Sequence, residues 1–455
     1  MTGHAEDEDT WSSPLAGASA VRIYPAGQPL KADVTIPGSK SVSNRALILA
    51  AMSEGASRLS GLLSSEDTYW CADALKRLGV EFADNGSDVT VKGIGRQRPK
   101  QGTIHVGSAG TAARFLPPFL AAGDKGEWQI TASDQMSARP MMPLFQALME
   151  GGAAISFGER EGCFPATVTG ATFQGGRLRM SGAVSSQFIS GILMAAAQSA
   201  RGVELDIEDT IVQSDYVRMT LDAMRHFGAT VEESERLDHF TVHPSTYRAR
   251  DLEIEADAST ATYFGALAAV TGGRINLKNL TANTKQPDYG FLNILERIGC
   301  MVERTSVGTV VSGESAGAGH LRGGFSINMR PLSDSALTLA ALAPFADAPI
   351  TITGVEHIRN HECDRISAIC ESLAALGIQV EQHRDGLTIF PGSPNFASLD
   401  TFQDHRIAMA LAVTGAGGKG VELLNPSCVS KTCPTFFELI SSVGIRTHLI
   451  SADQN

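Results

Sequence analysis

No stretch of this sequence approaches the roughly 18 consecutive apolar residues that a membrane-spanning helix needs, so no membrane partner is expected. Basic clusters are missing as well. With 37 basic against 49 acidic residues the formal net charge is −12, and no lysine or arginine run stands out, which argues against nucleic acid as a partner. An acidic total still leaves room for a cationic cleft. The seven cysteines (71, 163, 300, 363, 370, 428 and 433) are odd in number and include no C-x-x-C pair. Reduced thiols in a cytoplasmic protein are the plain reading. The opening "MTGHAEDEDTWSSPLAGASA" lacks a basic n-region and an apolar core, so residues 1–20 read as an acidic disordered tail and not as a signal or transit peptide.

What the chain has in quantity is a weak repeat. At 455 residues it should form at least two domains. Six stretches show an amphipathic helical pattern closed by glycine and followed by a short apolar strand: "CADALKRLGVEF", "FQALMEGGAAISF", "LDAMRHFGATVEE", "LNILERIGCMVER", "ESLAALGIQVEQ" and "FELISSVGIRTHL". Their glycines, 79, 152, 228, 299, 377 and 444, are 67 to 78 residues apart. That period is too long for a solenoid. It suits a βαβαββ-like unit used six times.

Six further segments are apolar all round: "RALILAAMS", "AARFLPPFLAA", "SGILMAAAQSA", "ATYFGALAAV", "ALTLAALAPFA" and "RIAMALAVTGA". A helix without a polar face is a buried helix. Each unit then pairs one amphipathic helix with one buried helix, and three units per lobe give two lobes. The lobe boundary is expected near "HPSTYRARD", residues 243–251.

Polar chemistry gathers just before these buried helices. Lys40, Ser41 and Arg45 precede or open the first, and "GSAGTAAR" with Gly110, Thr111 and Arg114 opens the second. Ser185, Ser186 and Gln187 stand before the third, Asp334 before the fifth, and Asp404, His405 and Arg406 before the sixth, with Lys431 in "CVSKTCP". One serine-rich turn is usually only an N-cap. Clusters at five of six buried helices suggest opposed helix N-termini around a small anionic substrate. "HIRNHECDR", residues 357–365, holds zinc-type ligands, but four of them are consecutive and point in different directions on a helix or strand. Metal is therefore disfavoured.

Read in order, "IPGSKSVSNRALILAA", "GSAGTAARFL", "ARPM", "SSQFISGILMAA", "ADASTATYF", "SDSALTLAALA", "HECDR", "DHRIAMALA" and "SKTCPTFF" resemble the signature segments of the 5-enolpyruvylshikimate-3-phosphate (EPSP) synthase family of enolpyruvyl transferases, over roughly residues 30–446. The resemblance implies an α/β fold: a two-lobed inverse α/β barrel, or prism, each lobe of three βαβαββ-like units with helices inside and sheets outside. Residues 21–38 plus 250–455 would form one lobe and 39–249 the other. It implies transfer of the enolpyruvyl group of phosphoenolpyruvate (PEP) to an acceptor hydroxyl with release of phosphate, with no metal or organic cofactor.

Position by position, the resemblance assigns Lys40, Gly110, Thr111, Arg139, Gln187, Arg365, Arg406 and Lys431 to PEP. Guanidinium forks and ammonium groups suit its carboxylate and phosphate. Asp334 would be the base toward the acceptor hydroxyl, Glu362 with Lys40 would protonate the PEP methylene carbon, and His405 would lie beside the reacting centre. Ser41, Arg45, Ser185, Ser186, Gln187, Gln213, Tyr216, Asp334, His357 and His361 would surround the acceptor.

Departures concentrate on that acceptor side. His361 stands where the family has lysine, Gln213 where it has a serine that helps to hold the 3-phosphate of shikimate 3-phosphate, and His357 where asparagine is usual. Ser108 replaces the asparagine of Asn-Ala-Gly-Thr. An unperturbed histidine is mostly neutral at pH 7, so phosphate binding there should weaken. The expectation is an acceptor other than shikimate 3-phosphate, with a nucleoside monophosphate such as UMP, as in nucleoside-antibiotic pathways, the named guess. The alternatives are an authentic EPSP synthase of the shikimate pathway and a non-catalytic PEP-binding protein.

Overall fold

The computed structural model describes residues 12–84, 88–314 and 321–451. It contains six four-stranded sheets. Three come from contiguous chain, and Gln101–Thr169 shows the plan. Strand Gln101–His105 leads through helix Gly110–Ala122 to the parallel strand Glu127–Thr131. Helix Met142–Glu150 and the antiparallel strands Ala154–Phe157 and Ala166–Thr169 complete it. The expected βαβαββ unit is therefore present, its parallel pair joined by a helical crossover. In all six units the amphipathic helix ends at the expected glycine, each with φ between +82° and +108°, a region that residues with a Cβ rarely enter.

The apolar core falls into two clusters, one built from residues 46–254 and one from residues 15–36 and 256–445. The chain crosses between them twice, and at each crossing a first strand is exchanged. Lys31–Val34 pairs in parallel with Arg274–Leu277, while Leu252–Glu253 pairs in parallel with Glu54–Ser60. Residues 250–254 thus pack with the lobe of residues 39–249, a few positions beyond the expected boundary. Ile254 belongs to that core, as does Tyr247, so the stretch used to place the boundary is anchored in the same lobe while its charged residues stay exposed. The two linkers run side by side, with Ser39 N–H donating to Glu255 O (2.8 Å) and Asp257 N–H to Pro37 O (2.9 Å). One carboxylate ties the helices that follow. Asp257 accepts from Thr260 N (2.7 Å) at its own helix and from Lys40 N (3.0 Å) at the other.

The expected tail needs correction. Its first eleven residues lie outside the described residues, but 12–20 are part of the fold. Ser13 Oγ meets Ser430 Oγ at 2.5 Å, Leu15 is buried, and Ala18–Ile23 is a strand between Val421–Leu424 and Thr447–Ser451. Acidity marks only the start of the segment; "LAGASAVRI" supplies apolar side chains that fill the last unit.

The six apolar segments are inner helices. Every residue of Ala258–Thr271 and of Gly110–Ala122 is buried. Pro117 and Pro118 interrupt the latter and leave the Ala113 and Arg114 carbonyls without helical donors. Gly191 on the neighbouring inner helix lets the two backbones meet there, since a Cβ on it would lie 2.6 Å from Arg114 O. Gly191→Ala should therefore cost about 1–3 kcal/mol, the usual cost of overpacking, read as a lower urea-unfolding midpoint. An unchanged midpoint would show that the two helices have slack at this crossing.

Candidate active site

The N-terminal ends of inner and outer helices converge on one cavity between the lobes. Lys40, Ser41 and Arg45 reach it from the first inner helix, Ser185, Ser186 and Gln187 from the third, Asp334 from ahead of the fifth, and His405 and Arg406 from the sixth. The outer helices bring Arg139, Gln213, Tyr216, His357, His361, Glu362 and Arg365. Gly110, Thr111 and Lys431 stand behind this wall. Lys431 Nζ is 3.7 Å from Glu362 Oε1, and a Cβ on Gly110 would lie 3.0 Å from Arg114 Nη1 and 3.3 Å from Arg139 Nη1. The helix that Gly110 opens has no side-chain N-cap, in contrast to those capped by Ser39, Ser185, Asp257 and Asp404.

Ion pairs organise this wall. Arg365, with 2% of its side chain exposed, contacts Asp404 Oδ2 (2.7 Å), Glu362 Oε2 (2.8 Å) and Asp334 Oδ1 (3.5 Å). Arg406 Nη2 reaches Asp334 Oδ2 at 3.1 Å, and Arg139 Nη1 reaches Glu362 Oε1 at 3.7 Å. Lys40 and Lys431 share Asp67, at 3.3 and 3.6 Å. Burial opposes ionisation of Asp334, but Arg406 and Arg365 overcome it and hold the carboxyl well below the usual range. Glu362 is depressed in the same way, burial being outweighed by Arg365, Arg139 and Lys431. Both side chains are carboxylates in this state.

The histidines are neutral. Burial, and then the Arg365 charge, pushes His361 well below its ordinary value, and its Nδ1 accepts from Arg365 Nη1 (2.9 Å). The remaining proton therefore sits on Nε2. His357 pairs through Nε2 with Ser333 Oγ (2.8 Å), and its ring packs edge-on against His361 with centroids 5.8 Å apart. His405 is depressed by burial, and neither of its ring nitrogens makes a hydrogen bond among the described residues, Nδ1 lying 3.8 Å from Asp404 Oδ1. Among the described residues no group of three or more His, Cys, Asp or Glu side chains is arranged to hold a metal ion.

Two acceptor-side expectations gain unforeseen partners. Arg45 lines the cavity, but its guanidinium donates to Thr220 Oγ1, Ser190 Oγ and the carbonyls of Ser41 and Tyr216, so it builds the wall more than it offers free donors. Tyr216 turns its hydroxyl across the lobes to Asp288 Oδ2 (2.8 Å), which also accepts from Ser259, while Asp288 Oδ1 accepts from Ser335. Gln213 sits at φ +51° with Nε2 buried and unpartnered. Asp67, Asp288 and the three-way role of Asp404 escaped sequence reasoning. Asp404 had a signal, its place beside His405 and Arg406. Asp67 and Asp288 had none, since each meets its partners only across the fold.

A family model described as EPSP synthase (3-phosphoshikimate 1-carboxyvinyltransferase) matches residues 25–440. The chain belongs to the EPSP synthase family. It is an enolpyruvyl transferase that uses PEP, and a purely binding role is set aside. Among its relatives in the EPSP synthase family, 3-phosphoshikimate 1-carboxyvinyltransferase 2 of Halalkalibacterium halodurans is 48% identical over 450 residues, covering 98% of this chain and 100% of the relative. A 3-phosphoshikimate 1-carboxyvinyltransferase of Trichormus variabilis is 39% identical over 420 residues, 92% of this chain and 97% of the relative. The solved EPSP synthase of Acinetobacter baumannii superposes with a TM-score of 0.79 at 25% identity, covering 94% and 99% of the two chains. The enolpyruvyl transferase NikO of Streptomyces tendae superposes at 0.75 with 15% identity, covering 96% and 100%, a likeness of fold alone.

The depressed histidines make a pH prediction. Below about pH 6.5 an unfolded chain protonates histidines that the fold keeps neutral, so this contribution to stability falls as pH falls. Asp288 and Glu255, raised by burial, act in the opposite sense, so the comparison must be between variants. Urea midpoints at pH 7.5 and 5.5 should fall further for wild type than for His361→Asn. Equal shifts would mean that His361 does not resist protonation in the fold.

Proposed function

We propose that this enzyme transfers the enolpyruvyl group of PEP to the 5-hydroxyl of shikimate 3-phosphate and releases phosphate. The observation that carries the acceptor is the 48% identity, over the whole length of both chains, to a protein named 3-phosphoshikimate 1-carboxyvinyltransferase 2. The expectation of UMP and of a nucleoside-antibiotic pathway loses ground accordingly, because the likeness to NikO is one of fold only. Seven cysteines, none in a disulfide, and no described helix long and apolar enough to cross a membrane fit a cytoplasmic setting.

The ion pairs suggest how the chemistry is switched on. In this state Asp334 and Glu362 are held ionised by the cations assigned to PEP, and a carboxylate so stabilised is a poor base. PEP brings its own carboxylate and phosphate to Lys40, Arg139, Arg365, Arg406 and Lys431. Its charge competes for those cations and raises the proton affinity of both carboxylates. Asp334 then takes the proton of the acceptor hydroxyl as its oxygen bonds to C2 of PEP. Glu362, which takes up a proton from solvent as its proton affinity rises, delivers it with Lys40 to C3. Breaking the C2–O bond to phosphate, with return of a C3 proton to Glu362, restores the double bond in the product, and the proton on Asp334 leaves with the phosphate. His405, neutral and making no hydrogen bond among the described residues, offers one beside C2, and Gln187 lies between the substrates. Thr111 and the uncapped helix start at Gly110 present backbone N–H groups to the phosphate.

A second reading, an acceptor other than shikimate 3-phosphate, is favoured by the neutral His361 and the unpartnered Gln213 amide. Phosphate release from PEP separates the two. Robust turnover with shikimate 3-phosphate and none with UMP is expected; the reverse ranking would reject the proposed acceptor. Under the same assay Asp334→Asn should lower kcat by about a hundred- to ten-thousandfold, the usual worth of a general base, with the KM for PEP changed much less. Turnover within threefold of wild type would remove Asp334 from the role of base.

A further inference from the structure

Past His357 and His361 the cavity opens into a second chamber that shares Ser185 and Val212 with the first and adds Arg114, Arg330 and Asn360. Its carboxylates are engaged elsewhere. Glu356 Oε1 accepts from Arg384 Nε (2.8 Å), and Asp385 Oδ2 accepts from Gly354 N (3.1 Å). Its arginines differ in what they are free to do. Arg139 faces Glu362, and Arg114 donates to Gly110 O (2.8 Å) under the first PEP-side helix.

Arg330 differs from Arg114 in being only half-buried. Among the described residues its guanidinium donates one hydrogen bond, from Nη2 to Thr210 O at 3.3 Å across the lobes, and its Nε is buried with no partner. No carboxylate neutralises it among the described residues. Its charge nevertheless reaches the cavity wall: burial holds the His357 ring neutral, and Arg330 adds to that against the pull of Asp334. With His361 neutral as well, the other arginines described on this wall are Arg139, which faces Glu362, and Arg114, which is buried against Gly110 O and Met136 Sδ.

We propose that Arg330 supplies the fixed positive charge for the phosphate of the acceptor, in place of a cation at position 361. This rests on the acceptor reading above and makes Arg330 a specificity-determining residue. A guanidinium stays charged at any working pH, and the Nη1–Nη2 edge of Arg330, engaged among the described residues only by the long bond to Thr210 O, presents a planar fork to a phosphate monoester. Ser185 lines both chambers and Asn360 the second, while the unpartnered Gln213 Nε2 lies on the wall of the first, so neutral donors are at hand beside the charge. Thr210 and Arg330 come from different lobes, so a phosphate held here also reports closure.

The test is titration of shikimate 3-phosphate into the full-length protein, alongside the KM for PEP. Arg330→Gln should weaken shikimate 3-phosphate by at least about tenfold, the worth of a charge-assisted hydrogen bond, and leave the KM for PEP within threefold. Arg330→Lys, which keeps the charge and loses the fork, should fall between the two. His361→Lys in the Arg330→Gln background should recover affinity by restoring a cation on the opposite side of the same site. If Arg330→Gln fails to fold, Arg330→Lys decides, and an unchanged affinity for shikimate 3-phosphate would overturn the proposal. A wild-type enzyme that turns over shikimate 3-phosphate beside an Arg330→Gln variant that binds it equally well refutes Arg330 alone. A wild-type enzyme that does not turn it over refutes the acceptor and Arg330 together.

Discussion

A guanidinium taken almost wholly out of water keeps its charge only among carboxylates, and Arg365 has three, from Asp404, Glu362 and Asp334. The rest of the cleft follows from that requirement. Asp404 is also the N-cap of the sixth inner helix, accepting from Arg406 N (2.8 Å), so the residue that neutralises Arg365 also places Arg406. Glu362 draws Arg139 from the other lobe and Lys431 from the last unit. Breaking one member would leave buried charges unpaired, which is far more costly than never having buried them.

The same network explains how so many like charges can line one cleft. Five cations, Lys40, Arg139, Arg365, Arg406 and Lys431, would repel one another across a closed cleft. Four carboxylates, Asp67, Asp334, Glu362 and Asp404, hold them together. Two of the four are the side chains proposed to move protons. Under the proposed mechanism PEP would compete for the same cations. Pairing of the two carboxylates with those cations is thus a consequence of electrostatic balance and needs no separate device.

Much of this was legible in the chain. The glycine that ends each amphipathic helix, the six all-apolar segments and the polar clusters ahead of them are local features, and local chemistry dictates them: αL geometry, burial of a helix without a polar face, and unsatisfied N–H groups at helix starts. Asp67 and Asp288 could not be found in that way. Nothing around "SSEDTYW" or "KQPDYG" distinguishes a surface aspartate from one facing two lysines or a tyrosine of the other lobe. The N-terminal segment misled for a related reason, since its acidic start hid an apolar strand whose partners lie some four hundred residues away.

By itself the sequence determined the repeat, the family and the residues that gather at the cleft, because each depends on a residue and its near neighbours. Only the tertiary structure decided which charges are free. Histidine at 361 reads from sequence as mostly neutral at pH 7; burial beside Arg365 pushes it further that way and makes its Nδ1 the acceptor of a hydrogen bond from that guanidinium. Arg330 belongs to none of the motifs read from the sequence, yet the fold sets it, with no carboxylate partner among the described residues, at the wall where His361 is neutral. Protonation and pairing are set by distance and burial across both lobes, and those quantities exist only once the chain has folded.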